Sequence, residues 1–555
     1  MTAPVLIAGA GLSGLVLALS LLRNGVPVRI IEKESKFAIG QRGPGIQPRT
    51  LELYKFLGVL PELLSHEECS RLLVLEHWAS PQGQEPVATK QIMDEDTTPD
   101  RPCNNIVMLG QSAHEGILRS VLKRDYGLDV ELGSELRSFE QHDDHVVVRI
   151  AKIGIDNTET VEEAKVSYLV GCDGARSAVR RQLGLTFLGE SPPSVSLFIG
   201  DIHIKGLDNS RMRIWGDYSR RNLVVRPFTT NQGDDRFNFF MGGPEIDITR
   251  VSSSRDELIK TFQEVTGRND LEFGELLWQS QWRPNIRMVN EFGRGRVFVA
   301  GDSAHVHSPT GGQGLNSGIQ DSINLAWKLS LTFKNLASNS LIETYSQERL
   351  PVIAAMLEKT TELYHKTFSP TQKGLAGWQR GYELKQFGVN YRGSPLTLDE
   401  KHGELEEPVD HYRAGEDGTV RAGDRAPDAP GLVRKDSVAT ETTLFDIFNP
   451  TRHTVLVFCG ATRRKENLIE AIAEFPAGTV QTVFVFPRAT PEENIRKPGS
   501  GVDYIVVDRD GYAYKHYVVD ETDGGIVIVR PDSWIGGLVS GVEGVKKYFG
   551  QIFGV

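Results

Sequence analysis

Gly9-Ala10-Gly11-Leu12-Ser13-Gly14 is the segment that most restricts what this chain can fold into. It follows the apolar run Val5-Leu6-Ile7-Ala8 and precedes Leu15, Leu19 and Leu22, which recur at helical spacing. Asn24-Gly25 ends that helix, because glycine accepts a left-handed cap. Val28 to Ile31 then reads as a second strand, with Glu32 at its end, 23 positions after Gly9. Each part has a physical task. Gly9 makes the tight turn, Gly11 lets backbone approach a pyrophosphate, and Gly14 lets helix and sheet come close. The helix start offers free N–H groups to phosphate, and Glu32 can accept two ribose hydroxyls. Three glycines alone would say little in a chain with 56 of them; strand, helix and acid in the right order give them weight. FAD and NAD satisfy this unit equally well.

A chain of 555 residues is too long for one simple core and suggests about three domains. Hydrophobic residues at 39% and charged residues at 24% are ordinary for a soluble globular protein. A net charge of −11 gives no bulk attraction to nucleic acid or to an anionic membrane. No basic leader precedes the first strand, and the longest helical apolar stretch, Leu15 to Leu22, falls far short of a bilayer span. Cys69, Cys103, Cys172 and Cys459 form no CxxC pair, so neither a zinc site nor a disulfide framework is expected. A cytoplasmic protein without a metal centre fits these features.

Further along, Val146 to Leu169 alternates as strands do, with a polar break at Asp156-Asn157. Between Ser194 and Gly243, apolar runs such as Ser196 to Ile199, Leu223 to Val225 and Phe237 to Phe240 predict a mostly antiparallel sheet. Tyr391 to Pro430 is rich in charge, proline and glycine and reads as a linker. Strands at Thr454 to Phe458 and Thr482 to Phe486, with a helix near Glu466 to Phe475 between them, open a second α/β domain. Strands at Asp503 to Val507 and Gly525 to Val529 and a helix at Val542 to Phe549 complete it.

A second glycine-rich block bears on the choice of dinucleotide. Arg296 to Ala300 is an apolar strand that ends in Gly301-Asp302; Gly311-Gly312-Gln313-Gly314-Leu315-Asn316 then opens a helix carrying Ile319, Ile323, Ala326 and Leu329. Asp302 can hold a polyol hydroxyl, and the amides around Gly314, Leu315 and Asn316 form an anion-stabilising helix start. A flavin needs both, having a ribityl chain and a reduced form that is negative at N1–C2=O. A third block, Gly171-Cys172-Asp173-Gly174-Ala175-Arg176-Ser177, is again strand then turn.

Together the blocks resemble the class A flavoprotein aromatic monooxygenases, in their phenol-hydroxylase-like branch, over roughly Val5 to Pro395. The tail resembles the thioredoxin-like C-terminal domain of that branch, which helps its members dimerise. The resemblance implies an α/β chain with five parts: a Rossmann-like FAD-binding domain (1–185), an inserted, mostly antiparallel substrate sheet (186–290), the rest of the FAD domain (291–395), a linker (396–423) and the thioredoxin-like domain (424–555). It implies FAD held by Gly9, Gly11, Leu12, Ser13, Gly14, Glu32, Lys33, Arg42, Gln111, Asp173, Asp302, Pro309, Gly312, Gly314, Leu315 and Asn316. Arg49 belongs to the same matching segment as Arg42. NADPH or NADH would reduce the flavin, and a C4a-hydroperoxide would hydroxylate a phenolic or polyketide-like ring. The expected partners are a small aromatic substrate, O2 and a second copy of the chain.

Two departures bear on chemistry. Pro44 stands where phenol hydroxylase has an aspartate that helps activate the phenol, and Trp282 stands where the family has a tyrosine. The group that favours substrate deprotonation is therefore unassigned, and the ring is expected to be larger than phenol or held differently. Tyr218, Arg213, Trp282 and His305 are the catalytic candidates; Trp215 joins Tyr218 and Arg213 as a candidate substrate contact. Sheet packing is the plainer reading for Tyr218, Arg213 and Trp215, and local hydrogen bonding for His305 and His307. Cys459 has no second cysteine nearby, so the tail is not expected to do thiol–disulfide chemistry. The alternatives are a flavin oxidoreductase or epoxidase acting on a non-phenolic substrate, and a flavin-binding interaction protein without turnover.

Overall fold

A computed structural model describes the chain except for residues 1–2, 72–73, 81–84, 94–96, 155–157, 191–195, 284, 309, 369–380, 404, 406–407, 416–417, 437–439, 461–466, 496–500 and 555. The polar break at Asp156-Asn157 and Pro309, one of the residues expected to contact FAD, lie outside the described residues.

The first sheet follows from its apolar runs. Val5–Ala8 is central, with Val28–Ile31 on one side and Tyr168–Gly171 on the other, both parallel to it. Val297–Val299 extends the parallel set and Gly293–Arg294 closes it antiparallel. Val5, Leu6 and Ile7 are wholly buried, because two helices, Leu12–Arg23 and Gly314–Phe333, pack together over the strand ends. Runs this apolar belong in a parallel sheet covered on both faces. A separate antiparallel sheet, Ser134–Gln141, Val146–Ile153 and Glu159–Val166, contains the strands read from the alternation after Val146.

The second large sheet has seven strands, in the order Glu272–Trp282, Leu197–Lys205, Arg236–Gly242, Arg221–Pro227, Met212–Asp217, Val74–Trp78, Ala88–Gln91. Its two-residue period sorts the side chains. Phe198, Ile202, Ile204, Phe237, Phe239 and Met241 face the helix Arg255–Thr266 and pack on its Leu258, Phe262 and Val265. Each such burial is worth about 1.5–3 kcal/mol. Two of the strands, Val74–Trp78 and Ala88–Gln91, come from the segment read as FAD domain. Val74–Trp78 joins in parallel with Met212–Asp217, a pairing more than 130 residues apart that no local pattern announces.

The tail carries an eight-stranded sheet, in the order Leu398–Asp399, Ile535–Val539, Gly525–Val529, His453–Phe458, Val480–Pro487, Tyr504–Asp508, Leu432–Arg434, Glu441–Thr442. His453–Phe458, Val480–Pro487 and Tyr504–Asp508 run parallel; Gly525–Val529 pairs antiparallel with His453–Phe458, and Ile535–Val539 pairs antiparallel with Gly525–Val529, so it runs in the direction of the parallel set. A helix at Val542–Phe553 closes the chain, and Leu468–Ala473 is the helix between the first two parallel strands.

The join between core and tail is fully buried. Arg530 lies between the last two antiparallel strands and donates to both carboxylate oxygens of Glu348, at 2.6 and 2.9 Å, and to Asp532. Lys328 donates to Glu348 at 2.6 Å, and the Trp327 indole to Asp532 at 3.0 Å. Arg49, wholly buried, donates to Glu52 and to Ser533 Oγ and lies 4.2 Å over the Trp534 ring. Among its described residues the segment read as a linker has little regular structure beyond Leu398–Asp399, but Leu396, Tyr412 and Ala422 within it are buried.

Candidate functional site

Steric demands explain the fingerprint turn. Gly9 has φ +106°, and a Cβ on it would lie 2.2 Å from the Cys172 carbonyl oxygen. A Cβ on Gly14 would lie 2.1 Å from the Gly9 oxygen. Gly11 differs, since a Cβ there would meet nothing within 4 Å. No side chain caps the start of Leu12–Arg23, so its amides keep their donor capacity. An open side at Gly11 beside an uncapped helix start fits the pyrophosphate of a dinucleotide. Leu12 is buried beneath the turn. Glu32 accepts from the Ala10 amide at 3.0 Å and the Glu34 amide at 3.2 Å, which fixes its carboxylate against the turn with lone pairs to spare. Lys33 is exposed and pairs with Glu34 at 3.7 Å.

Ser13 joins this block to the second glycine block. A Cβ on Gly301 would come within 2.3 Å of Ser13 Oγ, and one on Gly318 within 2.4 Å, so Ser13 fills a crevice that two glycines leave. Ser322 Oγ donates to the Ser13 carbonyl at 2.8 Å. Asp302, in the single turn Gly301–Ser303, is accessible at its surface yet has protein crowded around it, as on the wall of a concave site. That crowding raises its carboxyl above the ordinary value, against the pull of His305 and Arg42. Asp173 accepts from the Ala178 and Val179 amides at 2.6 and 3.2 Å and from Ser303 Oγ at 3.0 Å. Its carboxylate therefore ties the third block to the residue after Asp302.

The loop before Gly314–Phe333 bends through Gly311 and Gly312, at φ +89° and +61°. A Cβ on Gly314 would lie 2.1 Å from His307 Nε2, so the His307 ring packs on the helix start. Burial lowers His307 to about 4, which leaves it neutral at pH 7. Asn316 Oδ1 accepts from the Gln47 amide at 2.8 Å, and its Nδ2 donates to the carbonyls of Gly45 and Gly312, locking the loop to the strand after Pro44. Leu315 beside it is half-buried. Arg42 is exposed, sits at φ +45°, and lies 5.8 Å from the Trp278 ring on the edge of the seven-stranded sheet. Gln111 opens the helix Gln111–Tyr126 and donates to Glu115 at 2.8 Å.

The four catalytic candidates are not brought together around one group. Arg213 pairs with Asp208 at 3.2 Å and Glu76 at 3.4 Å. Tyr218 is buried with its ring centroid 4.4 Å from that of Phe368. Trp282 is half-buried at the end of its strand, and Trp215 lies against Trp78 within the sheet. His305 is wholly buried and bonded to Asp321 at 2.7 Å, as the hydrogen-bonding reading expects. Sequence reasoning missed a polar cluster on the sheet face opposite the apolar one. Asp201 accepts from the Gln41 amide at 2.8 Å and from Asn238 at 2.7 Å, while Arg226 donates to the Gln41 side chain at 2.9 Å. Burial raises Asp201 and pushes Arg226 down to about 10. The cluster anchors the residue before Arg42. Its only sequence signal was Asp201, Arg226 and Asn238 at polar positions in otherwise apolar strands.

Among the described residues no group of three or more His, Cys, Asp or Glu side chains could hold a metal, and no helix is long and apolar enough to cross a membrane.

A family model described as "FAD binding domain" matches residues 2–360, and one described as "Phenol hydroxylase, C-terminal dimerisation domain" matches residues 501–554. A flavin-dependent monooxygenase of Mycobacteroides abscessus is 34% identical over 461 residues, which is 82% of this chain and 88% of that protein. Pentachlorophenol 4-monooxygenase of Sphingobium chlorophenolicum is 27% identical over 568 residues, 96% of this chain and 93% of its own. Among solved structures, the flavin-dependent monooxygenase PieE with FAD and substrate aligns at a TM-score of 0.79 and 22% identity, covering 99% of this chain and 98% of that one. Aklavinone-11 hydroxylase with FAD and aklavinone aligns at 0.79 and 24%, covering 100% and 99%. At those identities the two structures speak for the fold.

Proposed function

The chain belongs to the FAD-binding family of flavin-dependent aromatic monooxygenases, and from that premise we propose that it hydroxylates a phenolic or polyketide-like ring at the expense of NADPH or NADH and O2. The observation that carries this reading is the joining of the three blocks. Ser13 lies in the crevice between Gly301 and Gly318, and Asp173 is bonded to Ser303, so the fingerprint turn, Asp302 and the Gly314 helix start surround one site. In it, Gly11 and the amides after it bind pyrophosphate, Glu32 takes ribose hydroxyls and Asp302 takes the ribityl chain. The start of Gly314–Phe333 stabilises negative charge at the ring's N1–C2=O edge. Bound FAD supplies hydride acceptance and oxygen activation. The chain's own part is to orient the ring and exclude water, and Arg42 beside Trp278 links that site to the substrate sheet. Asp173 acts by holding Ser303. Pro309, Lys33, Leu12 and Gln111 complete the proposed FAD set.

The tail is a thioredoxin-like domain serving assembly, with no redox role. Its core order, Ile535–Val539, Gly525–Val529, His453–Phe458, Val480–Pro487, with Gly525–Val529 alone antiparallel to the other three, supports that fold. Cys459 directly follows the strand His453–Phe458, and the sequence places no second cysteine near it. The match of residues 501–554 to a dimerisation domain supports a homodimer.

The purified protein should be yellow, and a panel of phenols and aromatic polyketides should contain a member that stimulates NAD(P)H oxidation and yields a product heavier by one oxygen. A colourless protein that refuses FAD would overturn the reading. Substrate oxidation without oxygen insertion would make it a flavin oxidoreductase instead. Asp302→Ala should weaken FAD binding by about 1–3 kcal/mol, roughly tenfold to a hundredfold, through loss of one hydrogen bond to a buried ligand. The product should keep its regiochemistry. Titration of flavin fluorescence, with product analysis, checks both.

A further inference from the structure

Gln313, the residue before the Gly314 helix, is wholly buried, and its side-chain amide is saturated. A glutamine amide has two N–H donors and two acceptor lone pairs. Nε2 donates to the Gly311 carbonyl at 2.9 Å and to the Leu384 carbonyl at 3.0 Å. Oε1 accepts from Gln386 Nε2 at 2.8 Å and from the Tyr412 hydroxyl at 3.1 Å. Three of these four bonds come from residues 384–412, and Tyr412 lies in the segment read as a linker. One ends on the glycine that turns the flavin loop.

The partners are themselves held. Gln386 is buried at φ +65°, a left-handed conformation a glutamine adopts at a cost. Its Oε1 accepts from Gln320 at 2.8 Å, nearly two turns into the flavin-loop helix. Arg349 reaches the same helix, donating to Asp321 at 2.7 Å and to the Ser317 carbonyl, and donates to the Tyr391 hydroxyl at 3.1 Å. Asp321 in turn accepts from the Gly301 amide at 3.0 Å. Tyr391 packs on Trp534 of the tail. In this conformation the Gln386 amide is bonded at both ends, to Gln320 and to Gln313.

We propose that Gln386 and Tyr412 are positioning residues for the flavin: through the amide of Gln313 they set the backbone of Gly311–Gly314, and so the angle at which the helix start meets the isoalloxazine. The inference rests on the reading of this loop as the flavin contact. Residues 384–412 then tune cofactor electronics from outside the cofactor site, since a small turn of the loop changes how its amides meet charge at N1–C2=O.

Tyr412→Phe removes one hydroxyl and keeps the ring. Tyr517→Phe is the control: its hydroxyl is equally buried and donates to the Pro427 carbonyl at 2.9 Å, away from the loop. The holoenzymes are compared by FAD dissociation constant, flavin midpoint potential and hydroxylated product per NAD(P)H consumed. Tyr412→Phe should weaken FAD about three- to tenfold, shift the potential and lower the coupling. Tyr517→Phe should cost similar thermal stability and leave all three at the wild-type values. Gln386→Gly, which relieves the backbone and deletes the amide, should move the flavin observables in the same direction as Tyr412→Phe. Equal effects from both tyrosine variants, or none from Tyr412→Phe, would overturn the inference while leaving the FAD reading intact. Failure of the unsubstituted protein to bind FAD would remove both.

Discussion

Gly9→Ala should give no folded FAD domain to assay, while Gly11→Ala should fold normally and lose its cofactor. The two positions lie two residues apart in one motif, and sterics separate them. At Gly9 the added methyl would meet Cys172 O at 2.2 Å, Cys172 C at 2.6 Å and Asp173 N at 2.9 Å, all backbone of the adjacent strand end, and the φ of +106° is itself unfavourable to alanine. Relief would require moving the strand Tyr168–Gly171, which is parallel partner to Val5–Ala8 along its whole length. At Gly11 the methyl meets no protein atom, so the apo fold is untouched and the clash falls on the pyrophosphate alone. Circular dichroism and thermal melts of the apoproteins, followed by FAD titration, test the pair. Normal FAD affinity in Gly11→Ala would mean that the pyrophosphate does not lie there.

Glu348→Ala should be among the most destabilising single substitutions available, at about 3–5 kcal/mol. It leaves Arg530 and Lys328 as dehydrated cations without their shared carboxylate. The damage would also fall on Ser394, which donates to Glu348 Oε1 at 2.7 Å, and on Asn324, which donates to Oε2 at the same distance. A dependence on pH follows. Burial by itself would raise the Glu348 carboxyl, but Arg530, Lys328 and their hydrogen bonds outweigh it and hold it well below the ordinary carboxylate range. A depressed folded-state value contributes stability above the unfolded value, near 4.3, and loses it as pH falls further. The gap between wild type and Glu348→Ala should be full at pH 7 and shrink below about pH 4. Urea unfolding across that range measures it, and a gap under about 1 kcal/mol at neutral pH would show that the network is not what holds tail to core.

What the sequence by itself determined is local. Gly9, Gly11, Gly14 and Glu32 declared a dinucleotide turn because each answers a constraint within one strand–helix–strand unit. Asp302 and Gly311 to Asn316 did the same for the second block. The apolar runs at Ser196 to Ile199, Leu223 to Val225 and Phe237 to Phe240 likewise revealed strands of a mostly antiparallel sheet. Only tertiary structure decided what meets across long separations. Nothing near Ser13 says that it fills the crevice between Gly301 and Gly318, and nothing near Val74–Trp78 says that it completes a sheet more than a hundred residues onward. The segment read as a linker, 396–423, misleads most. Its charge, proline and glycine mimic a solvated tether, yet Tyr412 within it is buried and donates to the Gln313 amide beside the Gly314 helix start. A polar side chain reads the same in sequence whether water or another polar side chain will satisfy it; that choice is made when the chain closes and water is excluded.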